Sequence, residues 1–168
     1  WSGNLVTNAT WDDFWLNEGF TVYFENRIME EIYGTEIADI LALIEFQELE
    51  AEIAEIHQSE FPEDTHLKLS LKGRNPDDGM TSVAYVKGAF FLKTLEKKVG
   101  RDLFDSFMNS YFKRYAFRTI TTEGFEKYLN AELLKPNNIS FNTKEWLYKP
   151  GIPKNCVKVD PPRFKVVQ

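Results

Sequence analysis

Trp11-Asp12-Asp13-Phe14-Trp15-Leu16-Asn17-Glu18-Gly19-Phe20-Thr21-Val22-Tyr23-Phe24 opens a stretch that runs to Gly34 and reads as one long helix. Thr10 stands where an N-cap belongs, Asp13 follows three residues later as in a capping box, and Gly34 comes just after the last apolar residue as a stop. Trp11, Phe14, Trp15, Leu16, Phe20, Val22, Tyr23, Phe24, Ile28 and Met29 cover nearly the whole circumference, and a helix that is apolar all round is expected to be buried. Glu18 sits in its middle. Trp11, Trp15, Val22 and Glu25 lie one or two turns away on the same face, so a carboxylate shares that face with aromatic and aliphatic bulk. Burying a carboxylate is costly unless something compensates its charge. Three readings are open: a Lys or Arg partner, less burial than the pattern suggests, or a metal ion.

The other elements fall in order around this helix. Residues 1 to 9 read as an irregular polar loop. Thr35 can cap a second helix to about His57, with Ile37, Ile40, Leu41, Ile44, Phe46, Leu49, Ile53 and Ile56 on one drifting stripe and an acidic, solvated opposite face. Residues 58 to 80 read as a loop, punctuated by Pro62, Gly73 and the turn Asn75-Pro76-Asp77-Asp78-Gly79. Leu67, Leu69 and Leu71 alternate as in an extended piece. Long ordered loops are often functional, and this one leads directly to Tyr85. Thr81 or Ser82 can cap a third helix ending at Gly100, with Tyr85 in its first turn and Gly88 leaving room for the close approach of a backbone or a ligand. A fourth helix spans Asp102 to about Tyr115, and its aromatic stripe reads as core. A fifth starts at Thr121 or Thr122 and runs to Leu134; a short sixth covers Thr143 to Tyr148.

Composition narrows the function classes. The 168 residues are 43% hydrophobic and 15% aromatic, enough for a substantial core, so residues 1–150 are read as one mainly α domain. A net charge of −6 without a basic cluster argues against nucleic acid as a partner, and no run is long enough for a membrane span. The single cysteine, Cys156, rules out an internal disulfide and a cysteine-based zinc site. His57 and His66 are too far apart for a short ligand motif and read as structural or surface residues. Compartment is left open.

Gly3-Asn4-Leu5-Val6-Thr7 followed by Trp11 to Phe20 closely resembles the zinc aminopeptidases of the membrane-alanyl-aminopeptidase family, in particular the branch of leukotriene A hydrolase and its bacterial aminopeptidase relatives. Tyr85-Val86-Lys87-Gly88 is similar to that family's Y-x-K-G pattern, and Trp146-Leu147-Tyr148-Lys149-Pro150-Gly151-Ile152-Pro153 to its W-L-Y-x-P-G-x-P stretch. The three matches occur in order over almost the whole chain.

The resemblance implies a mainly α fold, the helical C-terminal half of a thermolysin-like metallopeptidase catalytic domain. Residues 151–168 would form an extended connector to a further C-terminal domain. It implies one Zn2+ ion held by two histidines of an HExxH helix and by a glutamate in an N-E-G context, which maps onto Glu18. Seventeen residues precede Glu18, so the second histidine is expected just upstream of Trp1. Zinc hydrolases use such a set of three protein ligands and a water. Tyr85 maps onto the tyrosine that stabilises the oxyanion. Asn17 flanks the ligand, Gly19 would spare space beside the metal, and Glu25 could hydrogen-bond an upstream histidine. The implied activity is removal of N-terminal residues from peptides with a free N-terminus, completed by the rest of the same polypeptide; alone, this stretch should be inert. A thermolysin-type endopeptidase and a helical binding domain without catalysis are the alternatives. Ala84 and Met80 depart from leukotriene A hydrolase itself, which puts an epoxide-hydrolase activity in doubt.

Overall fold

The computed structural model describes residues 2–162. A 3-10 turn at Trp11–Asp13 leads into helix α1 (Trp15–Tyr33), followed by α2 (Thr35–Ile56). A long irregular segment with one 3-10 turn at Pro76–Gly79 connects α2 to a π-helical turn, Val83–Lys87, which continues directly into α3 (Gly88–Val99). Then come α4 (Arg101–Tyr115), α5 (Thr122–Leu129) with a π-helical turn at Asn130–Leu134, and α6 (Thr143–Leu147). Residues 151–162 contain neither α-helix nor strand, and they lie back on the core: Val157 N–H donates to Thr94 Oγ1, and Asn155 Oδ1 accepts from Trp146 Nε1. The connector expected over 151–168 lies partly outside the described residues.

Several sequence expectations need correction. The first nine residues are not all loop: β1 (Val6–Asn8) pairs in parallel with β2 (Arg118–Ile120), Val6 opposite Arg118. Both strands are only three residues long, too short for the period-two alternation that marks a strand. The first helix does not start as a capping box. Thr10 has the extended backbone of a cap, but its hydroxyl donates to Asp13 Oδ2 at 2.7 Å rather than capping the backbone. Nor is α1 buried all round: Trp15, Leu16, Phe20 and Tyr23 are interior, whereas Ile28 is 57% and Ile32 62% exposed, and Trp11 in the turn before it is half-exposed too. In the first half of α2 the buried residues are Ala38 and Ala42, not the isoleucine stripe, and Ile44 is largely exposed. The small residues let α2 lie close along its neighbours.

The core is aromatic. Trp15 meets Phe91 and Phe125 edge-on at ring separations of 5.5 and 5.6 Å, and Phe20 stacks on Tyr111 at 5.5 Å. Each such pair adds about 0.5–1.5 kcal/mol beyond its buried area. The stripe of α4, Phe104, Phe107, Met108 and Tyr111, is buried here as expected. At the other end of α1, Tyr23 donates to Glu96 at 2.7 Å, and Arg27 makes a paired bond to Asp105 at 2.9 and 3.0 Å, tying α1 to α3 and α4.

Two contacts position the rest. Gly19 of α1 faces Gly88 of α3 so closely that a Cβ on Gly19 would stand 2.8 Å from Gly88 Cα and 3.1 Å from the Ala84 carbonyl oxygen. The space at Gly19 therefore belongs to a neighbouring backbone, not to a metal. Asp13 is fully buried, and its carboxylate accepts from Lys68 Nζ (2.7 Å), Thr10 Oγ1 (2.7 Å), and the Thr122 N–H and hydroxyl (2.8 Å each). Thr122 is the first residue of α5, so Asp13 fills an orphan donor at a helix start where negative charge is favoured. Burial alone would raise the carboxyl's pKa; the bonds from Lys68, Thr10 and Thr122 more than offset this and hold it below the usual carboxylate range.

Gly88→Ala would place a Cβ 2.9 Å from Gly19 Cα, a contact only backbone movement can relieve. It is expected to cost about 1–3 kcal/mol in a denaturant titration. Asp13→Ala leaves Lys68 and Thr122 without their acceptor and should cost about 3–5 kcal/mol, as for the breaking of a buried pair. Because the folded pKa of Asp13 is depressed, its contribution is complete above the ordinary value of 3.8 and fades as pH falls below it. The parent's thermal midpoint should therefore fall toward that of Asp13→Asn in acid.

Candidate functional site

Glu18 and Tyr85 are brought to one place by the glycine crossing. Glu18 precedes Gly19 in the first turn of α1; Tyr85 lies in the π-helical turn, one residue beyond Ala84, whose carbonyl touches the Gly19 position. A π-helical turn carries an extra residue relative to an α turn and recurs at functional sites. Its start is fastened by Glu52 of α2, which accepts the Ser82 N–H at 2.6 Å. Phe14 meets the Tyr85 ring edge-on at 5.8 Å, and Trp11 continues the row at 5.5 Å from Phe14.

The electrostatics of the pair are unusual. Glu18 is half-buried and has no hydrogen bond or ion pair among the described residues. This excludes a described Lys or Arg partner and bears out the reading of lesser burial. Burial alone raises its carboxyl above the ordinary value. The half-buried Tyr85 hydroxyl is raised as well, by burial and by the negative charge of Glu18. A phenol kept protonated beside a carboxylate can donate a hydrogen bond, and a carboxylate without partners is free to bind a cation.

The remaining expected site residues are less exclusive. Asn17 accepts the Asn8 N–H at 2.9 Å through Oδ1 and packs against Gly3, so it fixes β1 to the start of α1. Glu25 is exposed and adds like charge against Glu45. His57 is exposed; His66 is half-buried, with Nδ1 shielded from solvent and unpartnered. Among the described residues no three His, Cys, Asp or Glu side chains cluster as a complete metal site. A cavity of about 710 Å³ lies elsewhere, between α1 and α4, lined in part by Phe24, Ile28, Met108 and Phe112 and by neither Glu18 nor Tyr85. Among the described residues no helix is long and apolar enough to cross a membrane.

Two charged residues carry more than the sequence suggested. Asp13 was expected only to cap. Lys87 was read only as part of a motif, yet it is 1% exposed and donates to the Thr65 and Lys149 carbonyls. Its signal was its setting, a lone cation in the otherwise apolar run from Val83 to Leu92.

Residues 1–146 match the peptidase family M1 domain. The chain belongs to peptidase family M1. Its mainly α architecture agrees with the helical C-terminal part of the M1 peptidase domain. Leucine aminopeptidase 2 of Ajellomyces capsulatus is 37% identical over 91% of this chain, and a leukotriene A-4 hydrolase homolog of Botryotinia fuckeliana is 38% identical over the same share. Native leukotriene A4 hydrolase of Saccharomyces cerevisiae superposes with a TM-score of 0.85 at 38% identity over 92% of this chain. An M1 zinc metallopeptidase of Deinococcus radiodurans, at 24% identity and a TM-score of 0.68, shares the fold. This chain spans about a quarter of the length of the first three, at 25%, 24% and 25%.

The raised carboxyl of Glu18 gives a stability prediction. Its folded value lies above the ordinary 4.5, so the charged form destabilises the metal-free fold once pH passes the folded value. In chelator, Glu18→Gln should melt at or above the parent temperature at neutral pH, with the difference gone below the ordinary value. A lower melting temperature at neutral pH would contradict this.

Proposed function

We propose that this chain is the part of an M1 zinc aminopeptidase that supplies one metal-binding carboxylate and one oxyanion donor. The reading rests on one observation: a half-buried carboxylate without a partner, at Glu18, within electrostatic reach of the Tyr85 hydroxyl. The donor set fits a share of a zinc site, because a carboxylate oxygen is a normal zinc ligand and no cation among the described residues competes for this one. The other ligands, and the general base, would come from the rest of the polypeptide. Asn17 would keep the start of α1 in register, and Glu25 would offer its carboxylate to a histidine of that outside segment.

Zinc, when bound, supplies the Lewis acidity that activates a water and polarises the scissile carbonyl. Glu18 holds its share of the charge from a rigid helix, which fixes the angle of its carboxylate. Tyr85 donates its phenolic hydrogen to the carbonyl oxygen as that oxygen gathers negative charge. Burial, and then the charge of Glu18, keep the proton on Tyr85, so the hydroxyl acts as a hydrogen-bond donor and not as a base. The name borne by one set of relatives, leucine aminopeptidase, supports peptides with a free N-terminus as substrates.

In the full-length enzyme, Glu18→Gln should strip zinc, measured by metal analysis after dialysis, and activity with it. Tyr85→Phe should retain zinc and lose about 10²–10³ in kcat. Normal turnover in both variants would refute the assignment.

A further inference from the structure

Lys87 stands two positions beyond Tyr85 on the same π-helical turn, and residues so spaced do not share a face. Tyr85 looks toward Glu18 and Phe14; Lys87 points into the interior, 1% exposed. Its Nζ donates to the Thr65 carbonyl at 2.6 Å and to the Lys149 carbonyl at 3.2 Å. Thr65 is itself fully buried, and its Oγ1 accepts the Gly151 N–H at 2.8 Å. Three segments thus meet at this amine: the turn that carries Tyr85, the irregular stretch after α2, and the chain beyond α6. None of the described ion pairs includes Lys87. His66 and Cys156 are its titratable neighbours.

A buried amine without a carboxylate is an expensive way to fill an apolar space, and a methionine of similar length would fill it at lower cost. What methionine cannot do is hold two carbonyls of irregular backbone, each of which would otherwise lack this donor. Val83, Ala84 and Val86 are buried around the same turn, so a shift of its back would be passed to its front.

We propose that Lys87 is a positioning residue for Tyr85: clamped between the Thr65 and Lys149 carbonyls, it fixes the rotation of the Val83–Lys87 turn and with it the aim of the phenol. This rests on the reading of Tyr85 as the oxyanion donor. A small misplacement of such a donor is costly, since about 1 Å can remove 10²-fold in rate.

The test is a double-mutant cycle in the full-length zinc enzyme, read with a leucine anilide substrate. Lys87→Met should lower kcat about 10- to 100-fold, leave KM within about threefold and retain zinc. Combined with Tyr85→Phe, it should lower kcat no further than Tyr85→Phe alone, an outcome that a merely structural role would not produce. Lys87→Gln, which keeps two N–H donors on a shorter stem, should recover part of the loss. It carries the same cycle should Lys87→Met fail to fold. An impaired Tyr85→Phe with a normal Lys87 variant, or with losses that multiply in the double variant, overturns the role of Lys87 alone. An unimpaired Tyr85→Phe overturns both readings.

Discussion

The contact between Gly19 and Gly88 is the constraint on which the arrangement depends. Two helical segments meet there backbone to backbone, with no side chain between them. At any ordinary helix separation of 8–10 Å, side chains fill the gap and the first turns of the two helices stand apart. Here they are in contact. Glu18 precedes one glycine and Tyr85 precedes the other by three residues, so the closest point of the crossing becomes the point where carboxylate and phenol share a field. Trp15, packed edge-on against Phe91 and Phe125, borders this crossing, its ring 3.5 Å from where a Cβ on Gly88 would stand.

One short stretch treats two of its carboxylates, Asp13 and Glu18, in opposite ways. Asp13 has four donors and its charge is fully absorbed by the fold. Glu18, five residues later, has none among the described residues, and burial works against its charge. The first pattern is what a protein does with a carboxylate it needs for architecture. The second is a local inconsistency of the kind expected where function takes precedence over stability. Sequence alone could not separate them, because both sit in the same apolar run.

Much of the architecture was legible because it depends on local chemistry. The helix ends at Gly34 and Gly100, both at positive φ, and the cap at Thr121, which accepts the Gly124 N–H, follow from residue type and position. The aromatic face of α4 follows from spacing. What escaped depends on partners distant in sequence. The β1–β2 pairing joins residues more than a hundred positions apart through strands of three residues. The fate of Leu67, Leu69 and Leu71 is similar: they alternate and are buried, yet they form no strand, since the Leu69 and Leu71 N–H groups donate to the Asp12 carbonyl and carboxylate, and Lys68 N–H to the Leu147 carbonyl, instead of to a ladder. Gly88 was expected to admit a close approach, and the visitor proved to be Gly19. Glu18 and Tyr85 were found through motif resemblance; spacing alone gave a carboxylate with three possible explanations.

The small parallel ribbon also sets an order of events. Val6–Asn8 has nothing to pair with until residues 118–120 exist, and Asp13 lacks Thr122 until slightly later. Closing so long a loop is entropically costly before it yields any contact. During ribosomal synthesis these two contacts become available only after the residues of α1 to α4 have been made, whereas the Asn8 bond to Asn17 and the Asp13 bond to Lys68 can form earlier. The last fastening of the chain just before Glu18 is thus supplied by a segment made more than a hundred residues afterwards.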